Sequence, residues 1–406
     1  MSGNISSNRV TAFVLNLMIF AAVMQGYVWT YSNYSFNLER SFSLPIILVA
    51  MIVWLIRGRI KLGGQEYLLI SWLVSSLVSS MLSPVSYVSI VMWMAQVMSV
   101  VYYFVVINLQ CNIQDWARGY SLDLLSIVLG PLLVFLYMLF HFVPGDWGVY
   151  FLSVSGGNEV RLKGFFSEPN IYGAFISFFI FMSMAKHRTR KIGLLVCMLI
   201  GLVLSFSRIP IVAFLIAFVA YFMVLWPKGY DLGGRVFWAS IFIFVMIILA
   251  GLSWFIFINY GEYDSVGRVH SVTSRMLMLG LAYDSILENW IIGSGVMSFG
   301  ALHSGAEILV GSYNPNDVWI SNLFVAIVHD SGLIGGLFFI AFIMSIFRKR
   351  WRVTRKLAII GDANAKYSAA IFSSGICVIV SSMATPTHLL ALFWIVLALM
   401  RGDKNG

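Results

Sequence analysis

The chain has 406 residues, of which 60% are hydrophobic and only 11% charged, and it carries a formal charge of +9. Soluble domains average about 25% charged residues, so a soluble fold is excluded. The excess of cations then reads as basic cytoplasmic loops rather than a nucleic-acid surface. Apolar runs near the roughly 20 residues needed to cross hydrocarbon recur from end to end. The expectation is an all-α polytopic membrane protein, a single transmembrane domain over 1–406. Helices are expected instead of a barrel because the runs are continuous and not alternating.

In chain order the runs lie at about 11–31, 41–56, 67–83, 86–109, 121–143, 166–185, 192–206, 208–226, 236–259, 318–347, 367–384 and 388–400. That makes about 12 transmembrane helices. The first run is too long for a cleavable signal peptide and lacks a small-residue cleavage site. The second and last are short, and the tenth is long enough to bend or break near Gly332–Gly336. Cys111, Cys197 and Cys377 lie at or within apolar runs without CxxC spacing, and read as packing residues, neither disulfides nor metal ligands.

Basic clusters at Arg57/Arg59/Lys61, Arg118, Lys186–Lys191, Lys228/Arg235 and Arg348–Lys356 each follow an even-numbered span. All of these loops and both termini are therefore expected on the cytoplasmic side. The other face collects 144–165, Ser205–Arg208, 260–317 and Thr385–His388. The 260–317 segment is the one large outer loop, too rich in aliphatic and aromatic residues for disorder. Its middle, Arg275–Glu288, has Leu277, Leu281 and Ile286 at helical spacing, which predicts a helix along the interface.

Outer-face cations break the charge rule: Arg161, Lys163, Arg208, Arg268 and Arg275. Any one of them can be a snorkelling anchor; five together point to an anionic ligand. Helix-start signals gather on the same face at Ser83-Pro84, Ser167-Glu168-Pro169, Ser207–Pro210, Asn316-Asp317 and Thr387. Their free N–H groups and partial positive charge suit a phosphate or pyrophosphate. There is no Walker A loop, Rossmann fingerprint, HExxH or GxSxG, and no ligand spacing for a metal. No cofactor is expected, and the energy for a reaction has to come with the substrate.

Four elements in series carry a family resemblance. Arg161-x-x-Gly164-x-x-x-x-Pro169-Asn170 resembles the R…G…PN element of the O-antigen polymerase (Wzy) and O-antigen ligase superfamily. Ser205-Phe206-Ser207-Arg208 resembles the S-x-S-R that follows it. Arg275 with Asn289–Gly295 resembles the R…GxG stretch of the large periplasmic loop. Ser321-Asn322, nine residues, then Gly332-Leu333-Ile334-Gly335 resembles the H-N-x9-G-x-x-G element. The ligases carry histidine where this chain has Ser321, which favours the polymerase. His303 and His329 are near in sequence but off the motif position, and Asp330 sits where the family often has an acidic residue.

The resemblance implies a GT-C-like fold in the bacterial inner membrane and an inverting glycosyltransferase acting at the periplasmic face. It implies transfer of a growing glycan from undecaprenyl diphosphate to an undecaprenyl-diphosphate-linked repeat unit. A chain-length regulator and a flippase are the implied partners. Arg161 and Arg275 are expected on the diphosphate, and Glu168 either as the base, with Asp317, Asp330 and His329 competing for that role, or only as a helix-start residue. Arg208, Lys163, Asn170, Arg268, Asn322 and Asp317 complete the expected substrate contacts. The rivals are a ligase transferring glycan to lipid A core and a lipid-linked oligosaccharide flippase. The unmatched loop at 260–317 argues against the two related halves of a transporter.

Overall fold

A computed structural model describes residues 3–24, 28–31, 34–37, 45, 48, 62–109, 120–142, 152–154, 160–186, 192–225, 276–303, 320–383 and 385–401. The described chain is helical apart from two short antiparallel hairpins. In order it forms α1 (Gly3–Val23), β1 (Val28–Tyr31), β2 (Tyr34–Asn37), α2 (Gly64–Leu82) and α3 (Ser86–Leu109). Then come α4 (Tyr120–Ile127), a π turn (Val128–Leu132), α5 (Leu133–Phe142), β3 (Leu152–Val154) and β4 (Val160–Leu162). After α6 (Pro169–Lys186), α7 (Ile192–Leu204) and α8 (Arg208–Leu225) the chain continues through α9 (276–288) and the short α10 (Phe299–Leu302). It closes with α11 (Leu323–Ile360), α12 (Ala365–Ser381) and α13 (Ala391–Arg401).

Among the described residues, four helical stretches are long and apolar enough to cross a membrane: Ser86–Leu109, Leu122–Phe140, Arg208–Leu225 and Leu323–Ile360. The chain is a membrane protein. Several expected spans differ in extent. The first run does not hold one helix over 11–31: α1 starts earlier and ends at Val23, and Val28–Tyr31 is a strand paired with Tyr34–Asn37. The β-branched and aromatic residues there favour an extended chain. The tenth run starts later, at Leu323, and its helix continues to Ile360 through the basic cluster. The expected spans at 41–56 and 236–259 lie outside the described residues, apart from isolated positions.

The centre of the bundle is α6, in which every residue from Ile171 to Met182 is buried. It packs against α4, α7, α8 and α12. Lipid tails are as apolar as leucine, so these contacts depend on close packing and interhelical hydrogen bonds and not on water exclusion. Phe181 lies 5.2 Å from Phe214 and 6.0 Å from Tyr221 on α8. On the other side, α2 packs along α11 and α3 along α13. Trp72 and Trp394 meet there with ring centroids 5.7 Å apart.

Two irregularities have local causes. Pro131 has no N–H to donate and opens a π turn within the span read as 121–143. The Leu129 carbonyl, within that turn, accepts the Tyr172 hydroxyl at 2.9 Å. In the first turn of α2, the fully buried Glu66 carboxylate accepts Arg401 Nε at 2.7 Å and the Tyr103 hydroxyl at 3.0 Å. That ties α2, α3 and α13 together at one point.

Candidate functional site

The charged stretch before α6 folds as a strand and a glycine turn. β4 pairs with β3, with Ser153 opposite Arg161. The chain then reverses at Gly164, whose φ of 59° is left-handed and whose neighbour Leu133 Cδ1 would lie 2.7 Å from any Cβ. The left-handed φ is what favours glycine there, since the Leu133 methyl is the end of a side chain that can turn aside. Phe166 is buried and stacks on Phe175 at 6.0 Å, which fixes the entry to α6, and Pro169 takes the first helical position.

This path points Arg161 at the junction of α7 and α8. Its Nε donates to the Ser205 carbonyl at 3.1 Å and its Nη2 to Ser207 Oγ at 3.0 Å. Longer contacts of 3.5 Å reach Asn170 Oδ1 and the Phe206 carbonyl. Phe206 is left-handed, with φ of 47°, and the turn it makes directs consecutive carbonyls toward the guanidinium. Ser207 N–H is held by Ser205 Oγ at 3.3 Å. The first two motif elements, 35 or more residues apart in sequence, thus form one cluster around a fixed arginine.

Asn170 extends the cluster: its Nδ2 donates to Thr385 Oγ1 at 3.2 Å, and Thr385 Oγ1 donates to Glu168 Oε2 at 3.4 Å. Lys163 is half-buried beside them, and desolvation lowers its pKa below that of an ordinary lysine. Arg208 is exposed at the first residue of α8. A cation, a carboxylate and two amide or hydroxyl groups therefore share one end of α6.

The last two motif elements form a second centre. Gly332 interrupts α11 with φ of 66° and ψ of −177°, at the place where the tenth run is expected to break. The segment after α9 lies in that break. Ser294 N–H donates to the His329 carbonyl at 2.7 Å, Gly295 N–H to the Asp330 carbonyl at 3.2 Å, and Leu333 N–H to the Trp290 carbonyl at 2.8 Å. Ser79 on α2 adds a hydroxyl to the Asp330 carbonyl at 2.6 Å. Backbone groups freed inside a membrane bundle need such partners. Main chains touch here: a Cβ on Gly332 would fall 2.1 Å from the Ile291 oxygen, and one on Gly293 2.4 Å from Gly332 N. The spaced glycines are the condition for this crossing.

Asp330 holds the crossing from the side. Its Oδ2 accepts the N–H of left-handed Met297 at 3.1 Å, and its Oδ1 lies 3.0 Å from His329 Nδ1. His329 is fully buried, and His303 lies on the same side, its ring 4.8 Å from that of Phe299. Burial lowers the His303 pKa, and His329 lowers it further against the pull of Glu288 and Asp284.

Of the expected site residues, Arg161, Glu168 and Asn170 are brought together, and Lys163 and Arg208 lie next to them in the chain. Asn322 caps α11 through its Oδ1, which accepts from Phe324 and Val325 N–H at 3.0 and 3.3 Å. The helix start expected at Asn316-Asp317 is accordingly displaced to Asn322. Arg268, Arg275 and Asp317 lie outside the described residues. The helix expected over Arg275–Glu288 is described as 276–288. Thr385 is the cluster member that sequence reasoning did not single out; a threonine 215 residues from Asn170 gives no local signal.

The family model described as O-Antigen ligase matches residues 193–340. The matched stretch contains the Ser205–Arg208, Asn289–Gly295 and Ser321–Gly335 elements and begins after Arg161–Asn170. It supports the O-antigen ligase and polymerase superfamily without separating the two activities. No curated protein matches the chain.

Proposed function

Starting from that superfamily, we propose that the chain is a surface-polysaccharide polymerase. It transfers a growing glycan from undecaprenyl diphosphate to an undecaprenyl-diphosphate-linked repeat unit at the periplasmic face of the bacterial inner membrane. The observation that carries this reading is the convergence of Arg161 with Asn170, Ser205 and Ser207 at one end of α6. An arginine already oriented by its neighbours suits a leaving group that gains negative charge, because preorganised donors stabilise such charge without reorganisation.

In this mechanism the acceptor sugar hydroxyl attacks the anomeric carbon of the donor and the carbon–oxygen bond to the diphosphate breaks. The hydroxyl proton passes to Glu168, and undecaprenyl diphosphate leaves with inverted configuration at the new linkage. Arg161 and Arg275 hold the diphosphate. Arg208, Lys163 and Arg268 contribute positive charge around it, and Asn170, Asn322 and Asp317 complete the substrate contacts. A chain-length regulator and a flippase are the partners this activity requires.

The ligase reading is favoured by the description of the matching family and disfavoured by Ser321, which stands where the ligases carry histidine. Arg161→Ala and Arg275→Ala separate the two. Each is expected to cost about 10²–10³-fold in transfer, removing long polysaccharide from the banding pattern while single-repeat attachment and protein level persist. Loss of the single-repeat product as well argues for the ligase, and unchanged chain length in both variants sinks the diphosphate assignment.

A further inference from the structure

We propose that Thr385 is a positioning residue for Glu168, the last link of a one-way hydrogen-bond relay that starts at Arg161. The inference rests on the assignment of Glu168 as the base. Each direction in the relay is set by chemistry. A guanidinium only donates, so the atom of Asn170 facing Arg161 is its oxygen, Oδ1, at 3.5 Å. The Asn170 amide nitrogen then faces Thr385 Oγ1 at 3.2 Å and can only donate to it. With that lone pair taken, the single hydroxyl proton of Thr385 is directed at Glu168 Oε2, 3.4 Å away, and a carboxylate only accepts. The charge of Arg161 is thus communicated to the carboxylate through two neutral side chains, and one rotamer of Glu168 is selected.

The position is built to be rigid. Thr385 is 5% exposed, is β-branched and so stiff at χ1, and precedes Pro386, which restricts its backbone to extended conformations. The turn that carries it, between α12 and α13, is pinned on both sides. The Ser382 carbonyl accepts Leu323 N–H at 3.0 Å, and the Ser382 and Thr387 hydroxyls meet at 2.6 Å. The His388 carbonyl accepts Trp394 Nε1 at 2.6 Å and the Leu389 carbonyl accepts Ser99 Oγ at 2.6 Å. Thr385 thus brings a hydroxyl from this turn to Glu168, at a place where α12 already packs along α6 and α8.

The test uses the full-length protein in proteoliposomes with undecaprenyl-diphosphate-linked repeat units extracted from a strain lacking this gene. The initial rate of repeat joining is measured for T385V, T385S, E168Q and T385V/E168Q. T385V keeps the shape and removes the hydroxyl; its kcat is expected to fall about 10-fold or more with KM within roughly twofold, since a lost hydrogen bond to a charged group has that scale. T385S keeps the hydroxyl and is expected within about threefold of wild type, and T385V is expected to add less than about twofold in the E168Q background. T385A serves in place of T385V if the latter does not accumulate. Wild-type turnover in T385V beside an inactive E168Q overturns the relay alone. So does T385S as slow as T385V, or a fully additive double variant. Wild-type turnover in E168Q overturns instead the assignment of the base on which the relay rests.

Discussion

Glu66 and Arg401 show what a single buried charge pair does in this bundle. The Glu66 side chain has no exposure and receives both Arg401 contacts, Tyr103 and the Gly63 N–H at 2.6 Å. Removing one partner of such a pair leaves an uncompensated charge and typically costs about 3–5 kcal/mol, whereas replacing both with apolar groups is often neutral. Arg401→Met is accordingly expected to lower the thermal unfolding midpoint in detergent sharply, and E66M/R401M to recover most of the loss. Equal damage in the double variant would show that the helices are held by geometry and not by the charge. The pair itself is not legible in sequence, because only the fold brings positions 335 residues apart into contact. Arg161, Gly164 and Asn170 were legible, because a strand, a turn and a helix start fit in ten consecutive residues. Thr385 was not, since a lone threonine beside a proline is an ordinary turn signal.

At the scale of elements, the crossing of 290–297 with α11 depends on backbone approach. Gly332 is both left-handed and in contact with main chain, so Gly332→Ala combines the left-handed cost of about 1–2 kcal/mol with a clash that no rotamer relieves. Gly361, which ends the same helix with φ of 77° and nothing within 4 Å of its Cβ position, isolates the first cost alone. Gly361→Ala is expected to shift the unfolding midpoint slightly and to retain polymer synthesis. Gly332→Ala is expected to lose both the folded protein and its product, read by size-exclusion profile and polysaccharide banding. The break near Gly332–Gly336 was foreseeable from the length of the run and its glycines. Its filling was not. The Ser75, Ser76, Ser79 and Ser80 series on α2 looks in sequence like a diluted hydrophobic run. In the structure Ser75 and Ser79 donate to the Ser331 and Asp330 carbonyls, and Ser80 Oγ accepts Val296 N–H at 3.3 Å.

For the whole molecule, charge gives an orientation that can be tested. The 348–356 stretch has six cations and no carboxylate, and the helix carrying it continues past the break for roughly 42 Å at 1.5 Å per residue, longer than a hydrocarbon core of about 30 Å. Its end is therefore expected on the side that retains cations. In a background with the native cysteines replaced by serine, a membrane-impermeant maleimide is expected to label exposed S167C on intact spheroplasts. The same reagent is expected to label exposed R355C only after permeabilisation. The reverse pattern would invert the molecule and move the Arg161 cluster to the cytoplasm. The limits of α3, α7 and α8 agree closely with their apolar runs, since continuous Val, Leu, Ile and Phe leave no other state in lipid. Residues 28–31 escaped because hydrophobicity alone does not separate a helix from a β-branched and aromatic strand.

The break in α11 also constrains how the protein is made. The groups that satisfy the opened carbonyls of His329 and Asp330 belong to Ser294, Gly295 and Ser79, all of which leave the ribosome before α11 does. A membrane insertase handing α11 to the bilayer thus delivers it to a half-built acceptor in which the complementary donors already wait. Until that docking is complete, the gap at Gly332 carries bare amide and carbonyl groups that hydrocarbon penalises by several kcal/mol each. Assembly order is thereby written into the chain: a rearranged gene that places α11 ahead of α9 would send the broken helix into lipid without its complement.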